Sequence, residues 1–193
     1  MAESRITLKQ LESRLAKLTD HAVSFAATAY RSTTPRYANS RDLVNGMGSQ
    51  RAGGRWNPIG IAAVYASLTP ETALAESLAH FRFYGFPIED AMPRTFVALD
   101  VQMQFILDLR VLAIRRQLGA SIKRSFRSDW RSDVLAAKIP VTQLIGRAAE
   151  KVGLEGLLVP SAVDDGGTNI VIFPRTLRAE SVLRVQNSDR LHE

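Results

Sequence analysis

The 193-residue chain contains no cysteine. Disulfides, thiolate metal sites and thiol nucleophiles are excluded, and nothing points to an oxidising compartment, so a cytoplasmic protein is expected. Histidine is scarce as well. His21, His80 and His192 show no metal-ligand spacing, and Asp164 with Asp165 is an isolated pair, so no metal is expected. The N-terminal "MAESRITLKQLESRLAKL" has charges interrupting every apolar stretch. It reads as neither signal peptide nor membrane span, and no membrane partner is expected. Also missing are GxSxG, a Walker loop and a GxGxxG leading into a helix, which removes the familiar hydrolase and nucleotide-fold signatures.

What is present suffices for a core: 46% of the residues are hydrophobic, and the length suits one compact domain. Net charge is +6 and unevenly spread. Lys and Arg outnumber Asp and Glu by 9 to 4 in residues 1–60 and by 8 to 3 in 111–150, whereas 61–110 carry 3 against 6. An excess of this kind attracts polyanions, among them nucleic acid, nucleotide phosphates and an acidic protein partner.

Leu8, Leu11, Leu15 and Leu18 recur at helical spacing behind Thr7 and Gln10, which match a capping box. "VSFAATAYRS" reads as a strand entering a long polar connection that carries Arg31, Arg36, Arg41 and Arg51. A short buried strand is expected over Ile61–Ser67. Thr69 and Pro70 then cap a helix that closes at Gly85. "RTFVALDV" and "FILDLR" alternate like two strands, residues 141–152 form an amphipathic helix stopped by Gly153, and "GLLVPS", "NIVIFP" and "VLRVQ" supply three more strands. The basic, aromatic "SIKRSFRSDWRSD" fits neither helix nor loop clearly. Strands and helices mix without regular βαβ alternation, which predicts an α+β fold.

Several side chains stand out against this background. Arg55 follows Gly53 and Gly54 and precedes Pro58 in "GGRWNPIG"; flexible and rigid neighbours together would hold a guanidinium for bidentate contact with a diphosphate, or it is a solvated loop arginine. Tyr65, in a strand of small aliphatic residues, offers a ring to a planar ligand and a hydroxyl to a hydrogen bond, or packs the core with that hydroxyl tied to backbone. Glu76 turns away from the Leu74, Leu78 and Phe81 stripe onto a face with Thr72, Ala79 and Phe83, an odd place for a surface acid unless Phe83 merely shields it. Ser161 and Asn169 bracket "AVDDGGT" at strand ends, where small polar side chains are ligand contacts or ordinary turn residues.

"GGRWNPIG", "VYASLTPETALAE", "VPSA" and "NIVIF" together resemble the RES domain of bacterial toxins paired with Xre-type antitoxins. The resemblance runs from about Tyr30 to Val185 and leaves residues 1–22 as an N-terminal amphipathic extension to a RES domain at 23–193. It implies an ADP-ribosyltransferase-like fold, a split and bent β-sheet around a cleft, and a toxin that consumes NAD. Arg55, Glu76 and Ser161 match the family's name-giving positions, Tyr65 the aromatic beside them, and Arg31 an early arginine. On this implication Arg55 and Arg31 hold the diphosphate, Tyr65 stacks on nicotinamide, Ser161 orients the ribose or the diphosphate with Asn169 close by, and Glu76 binds ribose hydroxyls and stabilises charge as the glycosidic bond breaks. The implied function is transfer of ADP-ribose to a cellular protein, or to water or phosphate as an NAD glycohydrolase or phosphorylase, with an Xre-type antitoxin covering the cleft. A non-enzymatic nucleic-acid module using basic segments 31–55 and 115–131 is the rival reading, although direct nucleic-acid binding is not expected of such a toxin on its own.

Overall fold

Thr7 opens the first helix as its sequence predicts: its hydroxyl accepts from the Gln10 N–H while the Gln10 side chain accepts from the Thr7 N–H. The computed structural model describes residues 6–119 and 130–191. In helix α1 (Leu8–Leu18), Leu11, Leu15 and Leu18 are fully buried, each contributing about 2 kcal/mol of apolar burial. That stripe packs α1 on the body of the domain, beside a later helix whose Lys151 meets Glu12 at 2.9 Å on the solvent edge.

Six strands follow among the described residues: β1 (Val23–Thr33), β2 (Val64–Ser67), β3 (Thr95–Asp108), β4 (Gly156–Pro160), β5 (Thr168–Ile172) and β6 (Val182–Val185). They form one sheet in the order β1-β2-β5-β4-β3-β6, and β1 also pairs with β3, so the sheet closes on itself with β6 against β3 alone. Among these described strands β3 and β4 run parallel and the other pairs antiparallel. With helices packed outside, this is the expected α+β class, and the bend of the sheet has a definite place. β1 and β3 pair from Val23 to Thr33, whereas β1 and β2 meet only at Tyr30 and Ser67. The ring is therefore tight on one side and splayed at the β1–β2 seam.

The splay has a local cause. The strand expected over Ile61–Ser67 begins only at Val64, because the Ser49 hydroxyl takes both the N–H and the C=O of Ala63, at 2.9 and 2.6 Å. Those backbone groups are spent before a neighbouring strand can use them. Ser49 belongs to a segment the sequence presents as a long loop but which folds as two short helices, α2 (Ser40–Val44) and α3 (Met47–Ala52). Asn39 caps α2 by accepting the Asp42 N–H. Helices this short carry no visible periodicity.

Helix α4 (Pro70–Tyr84) starts and stops as predicted: the Thr69 hydroxyl accepts the Thr72 N–H and Gly85 closes it at φ 69°. β3 corrects the expectation of two strands, since Val97, Leu99, Val101 and Met103 stay buried in alternation out of the first segment and into the residues that join it to the second. Among the described residues, three further helices are α5 (Leu112–Leu118), α6 (Trp130–Leu135) and α7 (Val141–Lys151). Of "SIKRSFRSDWRSD", residues 121–129 lie outside the described residues, as does most of the basic segment 115–131. Alternating residues divide the sheet between two cores: Val171 and Phe173 pack with α1, α5 and α7, while Ile170 and Ile172 pack with Val64, Ala66 and Leu99. No helix among the described residues is long and apolar enough to cross a membrane.

Candidate active site

A cleft of about 300 Å³ opens at the β1–β2 seam. Arg31, Arg55, Tyr65, Glu76 and Asn169 all line it, and Ser161 stands directly behind Glu76. Six residues spread over the sequence from 31 to 169 are thus gathered at one place.

The loop carrying Arg55 is clamped from several sides. Its Gly54 N–H donates to the Asn57 carbonyl at 2.8 Å, and the Gly54 carbonyl accepts from Gln143 Nε2 of α7 at 2.9 Å. Buried Asn57 donates through Nδ2 to the carbonyls of Ser49 and Ile61, both at 2.8 Å. The Tyr65 hydroxyl accepts the Trp56 N–H at 2.8 Å and donates to Asn57 Oδ1 at 2.7 Å. Two glycines make these approaches possible. A Cβ on Gly54 would stand 2.6 Å from Tyr65 Oη, and one on Gly146 of α7 would fall 1.6 Å from the Trp56 carbonyl oxygen. Arg55 therefore projects from a fixed platform. The tyrosine hydroxyl is committed to this loop and in part to its backbone, as the core-packing reading expects, leaving the ring as cleft wall. Burial pushes the Tyr65 hydroxyl well above the ordinary phenol range, so it stays a neutral hydrogen-bonding group.

Glu76 is held from the opposite side. Its Oε1 accepts from Asn169 Nδ2 at 2.6 Å, Ser161 Oγ at 2.7 Å and the Ala162 N–H at 3.3 Å. Among the described residues no donor meets Oε2. Asn169 in turn accepts from Ser67 Oγ at 2.7 Å, a pair that faces across the β2–β5 ladder. Rotating that amide would aim its oxygen at a carboxylate, so the charge of Glu76 fixes its orientation. Ser161 Oγ also accepts the N–H groups of Val163 and Asp164, at 3.2 and 3.0 Å. The turn it organises is latched to the start of α4 by Thr72 Oγ1, which donates to Asp164. Gly167 fits there because a Cβ would stand 2.6 Å from Asp164 Oδ2 and 2.8 Å from Thr72 Oγ1. Ser161 and Asn169 thus spend their polar atoms on the carboxylate and its turn.

Arg31 enters from β1 and donates to the Leu43 carbonyl of α2. Burial brings its guanidinium down to about 10, which still leaves it cationic at neutral pH. Trp130 and Arg131 of α6 complete the far wall. No group of three or more His, Cys, Asp or Glu placed to hold a metal occurs among the described residues.

A profile of the RES domain matches residues 28–192. The chain belongs to the RES-domain family. Among similar proteins, the NAD(+) phosphorylase MbcT of Mycobacterium tuberculosis is 26% identical over 153 residues, which is 78% of this chain and 74% of that protein. The Prs ADP-ribosylating toxin of Sphingobium is 25% identical over 152 residues, 75% of this chain and 81% of its own. Toxin Res of Photorhabdus laumondii is 29% identical over 150 residues, 75% and 80% of the two chains. The crystal structure of the M. tuberculosis MbcT–MbcA toxin–antitoxin complex superposes with a TM-score of 0.71 at 22% identity, covering 94% of this chain and 92% of that one. The RES domain here therefore shares the fold of a solved relative.

Sequence reading alone missed Ser67, Trp130 and Arg131 in this RES-domain cleft, and Asn57 and Gln143 behind it. Asn57 could have been found as the buried polar hinge of an Asn-Pro turn. Ser67 becomes visible only when β2 is set against β5, 102 residues away.

Proposed function

We propose that this RES-domain protein is a toxin that cleaves the nicotinamide–ribose bond of NAD and transfers the ADP-ribose to a cellular protein. The observation that carries the reading is one cleft lined by Arg31 and Arg55 and by a glutamate with one oxygen pinned and the other spare. The substrate's diphosphate is anionic, and guanidinium groups match it in charge and geometry. Tyr65 offers a ring face to the flat nicotinamide. When the bond between the ribose anomeric carbon and the nicotinamide nitrogen breaks, the electron pair leaves with neutral nicotinamide and positive charge develops on the sugar. Glu76 stabilises that charge and receives ribose hydroxyls through Oε2, and the acceptor nucleophile then adds to the anomeric carbon. Ser161 and Asn169 act by aiming Glu76. A neutral leaving group requires no strong general acid, in keeping with a cleft that no histidine lines among the described residues.

Relatives named as an NAD(+) phosphorylase and an ADP-ribosylating toxin support NAD as substrate and divide over the acceptor. Transfer to phosphate, which would deplete NAD, is the second reading, favoured by the relative of that name and by the cationic cleft. Mass spectrometry of extract incubated with labelled NAD separates them. Label on a protein supports the first reading, ADP-ribose phosphate the second and free ADP-ribose hydrolysis; intact NAD overturns all three.

A toxin of this kind needs a silencing partner, and the solved relative is a complex with its antitoxin. The partner proposed here is an Xre-type antitoxin that covers the cleft, in the cytoplasm where NAD is supplied. Purified antitoxin should suppress nicotinamide release at equimolar ratio; unchanged release would remove that partner. The nucleic-acid reading predicts instead steeply salt-dependent binding that is indifferent to Glu76.

A further inference from the structure

Trp130 and Arg131 line the cleft, yet neither is used in the chemistry at Glu76. Trp130 is half-buried and belongs to neither hydrophobic core of the described residues. A large aromatic ring outside the core and facing a cavity is available to a ligand. Beside it, the Arg131 guanidinium carbon lies 4.8 Å from the indole centroid and 5.8 Å from that of Phe83. A cation between two rings is held in position before any ligand arrives.

The position of this pair along the cleft follows from helix geometry. Glu76 and Phe83 sit on the same helix α4, and seven residues at about 1.5 Å each set them roughly 10 Å apart along its axis. Between them α4 presents Ser77 and Ala79 to the cleft, side chains small enough to leave a path along the helix. The cleft therefore has a carboxylate at one end, and an indole with a fixed guanidinium about two turns away. A dinucleotide with its labile glycosidic bond at Glu76 extends its other nucleotide over that distance.

We infer that Trp130 and Arg131 form the adenosine-binding end of the cleft, the indole stacking on the purine and the guanidinium meeting the adjacent phosphate. The inference rests on NAD being the substrate, but it concerns recognition and not bond cleavage. Base–aromatic stacking of this kind is commonly worth about tenfold or more in affinity.

The test uses the full chain as wild type, Trp130→Ala and Trp130→Phe, with folding checked by melting curves. AMP binding is measured by calorimetry and NAD cleavage by nicotinamide release. Trp130→Ala is expected to weaken AMP binding about tenfold and to raise the KM for NAD in parallel, with kcat within about twofold. Trp130→Phe, which keeps a ring face, should stay close to wild type. AMP binding unchanged in Trp130→Ala, no AMP binding by wild type at millimolar concentration, or an unchanged KM for NAD would overturn the inference. A wild type that binds AMP through Trp130 but leaves NAD intact would instead sink the cleavage reading and keep this subsite.

Discussion

Glu76 and Glu155 both sit among several hydrogen-bond donors, but their oxygens are used differently. Glu155 is fully buried; Oε2 accepts the N–H groups of Gln104 and Phe105 at 2.6 and 2.8 Å, while Oε1 accepts the Arg178 N–H at 2.7 Å and the Ser181 hydroxyl. Burial opposes its ionisation, but these hydrogen bonds outweigh burial and hold the carboxyl below the usual range. The group ties β3, the entry to β4 and the approach to β6 into one joint. Glu76 gathers its three donors on a single oxygen beside a cavity. A carboxylate with every lone pair engaged can only hold a fold together; one with a pinned oxygen and a spare one is aimed, and can do chemistry.

The difference can be broken most forcefully at Glu155. Glu155→Ala orphans buried donors at about 1 kcal/mol or more each, so a loss of at least ~3 kcal/mol and a melting temperature lower by roughly 6–12 °C are expected. Nicotinamide release per folded molecule should not change. The pH dependence has a definite sign. A depressed folded pKa gives stability that is complete above the ordinary glutamate value near ~4.3 and is lost as pH falls through the folded value. Urea titrations should therefore show wild type and Glu155→Gln furthest apart at neutral pH and converging in acid.

Smaller effects sharpen the account of Glu76. Ser161→Ala removes one donor from Oε1 and loosens the turn behind it; a fall in kcat of about thirtyfold, or ~2 kcal/mol, is expected with KM within a factor of about three. A raised KM at unchanged kcat would make Ser161 a substrate contact instead. Tyr65→Phe keeps the ring but releases the Arg55 loop, and should cost about fivefold in kcat/KM, close to 1 kcal/mol. Wild-type activity in that variant would mean that Asn57 and Gln143 hold the loop unaided.

Much of this was readable in the residues themselves. The leucine stripe and capping box of α1, the Thr69–Pro70 start and Gly85 stop of α4, and the small-residue face carrying Glu76 are local patterns that the fold keeps. So is the glycine pair before Arg55. β3 could also have been read as one strand, since Val101 and Met103 are buried while Gln102 and Gln104 are exposed; polar residues in the middle disguised an alternation that carries on past the first segment. Other features depend on distant partners. Ser49 and Ala63 shorten β2, Ser67 orients Asn169, and Glu155 serves backbone some 50 residues away. In the sequence Glu155 is an acid between Leu154 and Gly156 like any on a surface, because nothing local reveals which backbone groups will need it.

The most direct test is nicotinamide release from NAD by wild type and Glu76→Gln, measured side by side with their melting curves. Loss of a carboxylate that stabilises developing charge predicts a drop of about a thousandfold, near 4 kcal/mol, with the melting temperature nearly unchanged. Release at the wild-type rate by folded Glu76→Gln would contradict the account.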